Sequence, residues 1–221
     1  MAIADLGALG FWGFATVTFV AGTVDCGWYA ADNRGLYYAF LMFGGLGQVI
    51  AGLVDILRGN AAGGVILTAF GIHWCGEGIS AWPGLSEMSK SRYDDQTQLL
   101  KMIGFYKLVW ALISLPMIYV MFRASMCQGV TLTVVCIIFA LHSLACFLDG
   151  DAAENVHKVS GYLCIIAALL AYYMGCSLYL RASGAPGLPF GRPLFVDEEE
   201  LKNRTRATGE EIIHSTIDVH E

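Results

Sequence analysis

Charged residues are scarce in this sequence. Only 14% of its 221 residues are Asp, Glu, Lys or Arg, whereas 56% are hydrophobic, and soluble domains carry about 25% charged residues. This shortage excludes an ordinary soluble domain and indicates a membrane protein with the lipid bilayer as its surroundings. Basic residues are the scarcer kind, and the formal net charge is -6. Nucleic acid is not expected as a partner, because proteins that bind it carry a basic stripe.

Several short motifs are also missing. The seven cysteines form no CxxC pair, so we interpret them as small buried hydrophobic residues. The sequence contains neither HExxH nor GxSxG, which argues against a metalloprotease and a serine hydrolase. We therefore expect no enzymatic activity, no cofactor and no metal. The first ten residues lack the basic start of a signal peptide, so the first apolar run is expected to stay attached.

Long apolar runs dominate what is present. Six occur, and they lie at about 9–24, 36–57, 61–82, 102–122, 129–148 and 159–180. A helix needs about 20 apolar residues to span a bilayer, so we predict an all-α membrane protein with a six-transmembrane-helix bundle in residues 1–181. The runs are continuous rather than alternating, which disfavours a β-barrel. Only Arg58-Gly59-Asn60 separates the second run from the third, which predicts an antiparallel hairpin.

An even number of spans places both termini on one side of the membrane. Basic residues are somewhat more numerous on that side, which favours cytoplasmic termini, and we expect the plasma membrane as the location. Residues 182–221 have Gly and Pro early and mixed charge late. This composition predicts a flexible cytoplasmic tail.

The second and third apolar runs carry a dense motif. It consists of Phe43-Gly44-Gly45, Gln48, Ala51-Gly52, Asp55, Arg58-Gly59-Asn60, Ala69-Phe70-Gly71 and Trp74. The arrangement resembles the core signature of the acetate uptake transporter family, which includes bacterial and yeast transporters of acetate, succinate and ammonia. Thinner matches in the first and fifth runs and at Phe190-Gly191-Arg192 extend the resemblance over nearly the whole span region.

The resemblance implies a six-helix protomer with a narrow pathway through its own centre, assembled as a homo-hexamer and moving acetate and similar small monocarboxylates. Carried over position by position, the pathway constriction would be Phe14, Phe70 and Val135. The family usually has Tyr and Leu at the last two positions, so Phe70 lacks a hydroxyl group and Val135 leaves a slightly wider throat. An apolar ring of this kind dewets and impedes hydrated ions. Without the resemblance, the two phenylalanines would be interpreted as core packing.

Ionisable side chains interrupt three of the runs. His73 and Glu77 share one helical face with Phe70, His142 lies on the fifth run and Lys107 on the fourth. With a rise of about 1.5 Å per residue, Glu77, Lys107 and His142 all fall on the side of the midplane away from the termini. A lone charge near the centre of a span costs about 2.5 to 3.5 kcal/mol. These groups are therefore expected to be paired or hydrated.

Two interpretations of this polar cluster stay open. In the first, Glu77, Lys107 and His142 form a polar vestibule above the constriction. Lys107 would attract a carboxylate there, and His142 or Glu77 would exchange a proton. In the second, Glu77 and Lys107 form an ion pair that ties the third helix to the fourth, away from any pathway.

Two further polar features lie in the second run. Gln48 is a buried amide at the spacing of the glycines and is expected to form a hydrogen bond across helices. We also count it among the candidate pathway residues. Asp55 and Arg58 are three residues apart at a helix end and are expected to form a surface pair of little energy.

The main prediction is a transporter or channel for acetate and related small monocarboxylates, with proton coupling left open. A channel for urea, ammonium or bicarbonate is the alternative, because the altered constriction and the polar cluster would permit such solutes. Two other classes compete with transport. One is an intramembrane enzyme that uses His73, His142 and Glu77, and the other is a sensor or scaffold with the tail as its output.

Overall fold

The computed structural model describes residues 4–29, 37–80, 82, 96–196, 199–200 and 202–203, with backbone only for 37–43 and 96. All regular structure among these residues is helical. The helices are α1 (Gly7–Asp25), α2 (Tyr37–Leu57), α3 (Ala61–Ser80), α4 (Gln96–Ala124), α5 (Met126–Ala145) and α6 (Gly150–Ala182). The predicted six-helix bundle is confirmed. Helices α4 and α6 begin several residues before their apolar runs, because the polar residues that precede each run are also helical.

The helices have the length and surface of membrane spans. Four are long and apolar enough to cross a bilayer: Gly7–Asp25, Thr97–Ala124, Met126–Ala145 and Gly150–Ala182. Large hydrophobic side chains on the outside of the bundle, such as Ile72, Leu112 and Leu169, are mostly exposed. A contiguous surface of this kind suits lipid, where every backbone polar group must be satisfied inside a helix. The chain is an integral membrane protein.

The six helices enclose a centre. α2 pairs with α3, α1 packs against α2 and α6, and α5 packs against α6 and α4. α3 and α4 complete the circuit through side chains, because Glu77 pairs with Lys107 and His73 contacts Tyr106. α3 therefore meets α4 and α5 through side chains, whereas α4 and α5 pack directly against each other.

Glycines of the family motif allow α2 to approach two neighbours at once. A Cβ atom on Gly44 would lie 2.7 Å from the carbonyl oxygen of Gly13 in α1. A Cβ atom on Gly45 would lie 2.8 Å from the carbonyl oxygen of Gly71 in α3. Both distances are shorter than any side chain tolerates, so the glycine pair sets the spacing of α1, α2 and α3. Helices in lipid associate through such flat surfaces.

Asn60, another residue of the motif, closes the hairpin between α2 and α3. Its side chain donates a hydrogen bond to Asp55 (2.8 Å) and accepts one from the backbone N–H of Gly63 (3.2 Å). Arg58 contacts Asp55 at 3.2 Å and Asp5 at 3.0 Å. The expected pair of Asp55 and Arg58 is therefore present, but Asp55 is only 5% exposed, so its placement at the surface is wrong. Two neighbouring groups, the Arg58 guanidinium and the Asn60 amide, satisfy its buried carboxylate.

The segment after α6 is attached to the bundle. The carbonyl oxygen of Phe190 accepts a hydrogen bond from the N–H of Cys127 (2.9 Å), and the N–H of Leu194 donates to Phe122 (2.7 Å). The hydroxyl groups of Tyr173 and Ser177 donate to Pro189 and Leu188. Residues 188–194 are therefore held against α4, α5 and α6, in contrast to the flexible tail expected from residue 182 onward. Residues 204–221 lie outside the described residues.

The close approach at Gly45 predicts a matched pair of stability effects. Gly45→Ala places a methyl group against backbone atoms of α3, and overpacking of this kind costs about 1–3 kcal/mol. Gly76→Ala on α3 is the control, because its Cβ would meet nothing within 4 Å. Thermal unfolding of the purified protein in detergent should show a lower Tm for Gly45→Ala and an unchanged or higher Tm for Gly76→Ala. Equal Tm values for the two variants would contradict the packing described here.

Candidate permeation pathway

Two cavities lie in the centre of the bundle, each with a volume of about 180 Å³. The first, here called the distal cavity, lies toward the carboxyl ends of α1 and α3, away from the start of α1. Its polar lining consists of Thr18, Asp25, His73, Glu77, Lys107, His142 and His157. The second, the proximal cavity, lies toward the start of α1 and the α2–α3 corner. Its polar lining includes Asp5, Gln48, Asp55, Asn60, Gln128 and Thr131.

Three side chains line both cavities: Phe14 on α1, Phe70 on α3 and Val135 on α5. Phe70 is 3% exposed and Val135 is 4% exposed. The ring of Phe14 meets that of Phe70 edge to face, with centroids 6.1 Å apart. These are the three residues that the family resemblance assigns to the constriction. The structure places them together as an apolar partition between the two cavities.

An aromatic cluster fixes the position of Phe70. Its ring centroid lies 5.5 Å from that of Trp110 on α4 and 6.1 Å from that of Phe139 on α5. Aromatic pairs at such distances contribute about 0.5–1.5 kcal/mol each beyond their area burial. Gly71 packs against α2, and the helical rotation between adjacent residues turns Phe70 toward the centre of the bundle. The partition is therefore held by packing on three helices.

A charged pair lies beside this cluster in the distal cavity. Lys107 Nζ is 2.5 Å from Glu77 Oε1, and their side chains are 12% and 31% exposed. His73 lies at the base of the pair, with Nδ1 3.0 Å from the hydroxyl oxygen of Tyr106 and Nε2 3.9 Å from Glu77 Oε1. The ion pair ties α3 to α4 and lines the cavity at the same time. The ion pair of the second interpretation is present, but it lines the distal cavity instead of lying away from it.

A second polar group lies in the distal cavity, formed by Asp25, His142 and His157. His142 Nε2 is 3.0 Å from Asp25 Oδ2, and the two imidazole ring centroids are 5.6 Å apart. Sequence reasoning selected His142 but not its two partners. Both partners lie just outside the apolar runs, because Asp25 follows the first run and His157 precedes the sixth. They were therefore not considered as residues of the pathway. The available signal was the helical spacing of His157, Gly161 and Cys164, which α6 places on one face toward α1.

Gln48 lies in the wall of the proximal cavity and is fully buried. Its Nε2 donates to the carbonyl oxygen of Gly44 in its own helix at 3.3 Å. The predicted hydrogen bond across helices is therefore wrong. Its Oε1 has no hydrogen-bond partner among the described residues, so one acceptor of this buried amide is unsatisfied.

The remaining motif residues differ in their positions. Gly44 and Gly45 lie at helix contacts and do not line the described cavities, whereas Asn60 lines the proximal cavity. The side chain of Phe43 lies outside the described residues. All eight candidate pathway residues line one or both of the two cavities: Phe14, Gln48, Phe70, His73, Glu77, Lys107, Val135 and His142.

Comparison with known proteins gives consistent matches. Ammonia transport outward protein 2 of Saccharomyces cerevisiae is 30% identical over 168 residues, which cover 75% of this chain and 57% of that protein. Acetate permease A of Emericella nidulans is 23% identical, with 75% and 58% covered. This chain thus spans little more than half the length of these two relatives. The succinate-acetate/proton symporter SatP of Escherichia coli is 26% identical over 194 residues, with 86% and 96% covered.

The fold and the family are also shared with known proteins. A solved structure of the bacterial acetate channel SatP superposes with a TM-score of 0.73 at 21% sequence identity, covering 86% of this chain and 100% of that one. The model of the GPR1/FUN34/yaaH family matches residues 1–185. The resemblance seen in the second and third apolar runs is confirmed, and the chain belongs to the GPR1/FUN34/yaaH family.

Proposed function

We propose that this protein is a transporter or channel that passes acetate and related small monocarboxylates through the centre of each protomer. One observation carries the proposal: two cavities that extend toward opposite ends of the bundle share Phe14, Phe70 and Val135 as their common wall. The substrate class is supported by the names of two relatives, acetate permease A and the succinate-acetate/proton symporter SatP.

The size of the cavities suits a small solute. Each has about 180 Å³, whereas one water molecule needs only about 10–15 Å³ on a comparable measure. A two- or three-carbon acid with several water molecules therefore fits on either side of the partition. At the partition itself the walls are apolar, so the solute must lose its water there.

The charge on a carboxylate decides how it crosses such a partition. Carrying an unpaired charge through an apolar region costs several kcal/mol, so the neutral acid crosses more easily than the anion. In the distal cavity, Lys107 attracts the carboxylate and His142 or Glu77 supplies the proton. Transport is then linked to protons.

Obstruction of the partition tests this pathway. Val135→Trp fills the space between the two cavities, so uptake of labelled acetate into proteoliposomes should fall at least tenfold. Val130→Trp is the control on the same helix, because Val130 is 39% exposed and does not line the described cavities. It should leave uptake close to that of the unmodified protein. Equal uptake by the two variants would argue against a route past Val135.

Proton linkage is tested at Glu77. Glu77→Gln keeps the size of the side chain but removes its exchangeable proton, so acetate uptake should lose most of its dependence on external pH. Uptake by the unmodified protein should rise as external pH falls, because each acetate that crosses as the neutral acid takes up a proton from the external side through Glu77. Glu154→Gln removes the carboxylate of another Glu–Lys pair, Glu154 with Lys158 at 2.5 Å, and should keep the normal pH profile. An unchanged profile for Glu77→Gln would exclude Glu77 as the proton donor.

Ammonium is the second candidate substrate. The 30% identical relative is named an ammonia transport outward protein, and the aromatic rings around His73 offer faces that attract cations. Competition against labelled acetate by ammonium, urea and bicarbonate distinguishes these solutes. Competition by short monocarboxylates alone supports the acetate proposal.

We also propose a homo-hexamer in the plasma membrane with both termini in the cytoplasm. The excess of basic residues on the side of the termini supports this orientation. Helix α4 supports the assembly, because only 22% of its most apolar window is buried within the protomer. Such a surface is available to lipid or to a neighbouring subunit, and native mass spectrometry gives the subunit number.

A further inference from the structure

We propose that Asp25, His142 and His157 form a binding site for a first-row transition-metal ion such as Zn²⁺, and that an ion bound there hinders passage through the distal cavity. The binding site is independent of the proposed function. Its effect on passage rests on that function. The three ligands come from α1, α5 and α6, so an ion bound between them would connect three helices.

The geometry is close to that of a metal site. One ligand atom from each residue can be chosen so that all three lie within 4.8 Å of one another, and His142 Nε2 is already 3.0 Å from Asp25 Oδ2. In a tetrahedral zinc site, bond lengths of about 2.0–2.1 Å put neighbouring ligand atoms about 3.4 Å apart. Side-chain movements of about 1.5 Å therefore complete the set.

The donor chemistry selects the class of ion. Two imidazoles and one carboxylate suit Zn²⁺, Co²⁺, Ni²⁺ or Cu²⁺, whereas Mg²⁺ and Ca²⁺ prefer oxygen ligands alone. Three protein ligands leave at least one coordination position open. All three residues line the distal cavity, so the open position faces the proposed route and is available to water or to a substrate carboxylate.

The surroundings allow a cation at this place. Lys107 lines the same cavity, but its ammonium group is 2.5 Å from the carboxylate of Glu77, which partly offsets its repulsion of a second cation. An ion in the site would hold a carboxylate that enters the cavity instead of letting it pass. No metal was expected from the sequence, because the three ligands lie on separate helices and form no spacing motif.

Calorimetry with ZnCl₂ on the full-length protein in lipid nanodiscs tests the site. We expect one Zn²⁺ per chain, and no competition from Mg²⁺ at the same concentration. His142→Ala and His157→Ala should each weaken Zn²⁺ binding at least tenfold. Asp25→Asn keeps the shape of the side chain and should remove the rise in Tm that Zn²⁺ gives the unmodified protein. This third variant guards against loss of folding in the alanine variants.

Two control variants identify binding elsewhere. The double variant His214→Ala/His220→Ala removes the histidines near the carboxyl terminus, and Cys146→Ser/Cys164→Ser removes the two thiols that line the distal cavity. Both should bind Zn²⁺ as the unmodified protein does. Absence of Zn²⁺ binding, or binding that survives both histidine-to-alanine changes in the cavity, would overturn the proposal.

Uptake of labelled acetate tests the effect on passage. Zn²⁺ should reduce uptake by the unmodified protein at least fivefold, and EDTA should restore it. The ratio of uptake with and without Zn²⁺ should approach one in His157→Ala. Bound Zn²⁺ with unchanged uptake would overturn the hindrance. Absence of uptake before Zn²⁺ is added would count against the proposed function, and calorimetry would still decide the metal site.

Discussion

The close backbone contact of α2 with α1 and α3 is the constraint on which the rest of the structure depends. Lipid tails are as apolar as leucine, so helices in a bilayer gain little from burying hydrophobic groups and associate instead where their backbones fit closely. Gly44 and Gly45 present such surfaces to opposite neighbours. With α1, α2 and α3 packed in this way, large side chains of α3, α4 and α5 occupy the centre, and Phe70 is turned into it. The motif glycines thus position the partition without lining it.

Ionisable side chains inside the bundle line the two cavities. In the described part of the chain, Glu77 pairs with Lys107 and Asp25 with His142 on the distal side, whereas Asp55 is satisfied by Arg58 and Asn60 on the proximal side. The two ends differ chemically. Both cavities contain carboxylates, which are accompanied by imidazoles and an ammonium group in the distal cavity and by amides in the proximal one. Under the proposed function, a carboxylic acid would meet imidazoles and an ammonium group on one side and amides on the other.

The sequence predicts the helices better than the polar contacts. Apolar runs are long-range patterns, and they locate six helices and the hairpin at Gly59. The placement of Phe14, Phe70 and Val135 follows from the family resemblance, because periodicity alone does not separate a constriction from a core. Contacts between helix ends leave no periodic signal, so the partners of His142 were missed. The Gln48 side chain donates its hydrogen bond within its own helix, and which acceptor it uses depends on local backbone geometry. Residues 188–194 are held largely by backbone and hydroxyl hydrogen bonds. Amino-acid composition does not predict such bonds, so the attachment of this segment was missed.

The proposed function depends on two cavities that are separated by an apolar partition. Single cysteines at Ile103, which lines the distal cavity, and at Gln128, which lines the proximal cavity, test it directly in a protein whose seven native cysteines are replaced by serine. Both positions are partly exposed. A charged, membrane-impermeant methanethiosulfonate reagent is applied from one side of sealed proteoliposomes at a time. The account predicts that each cysteine is modified from one side only, that the sides are opposite, and that acetate slows both reactions. Modification of both cysteines from the same side, or of neither from any side, would contradict it.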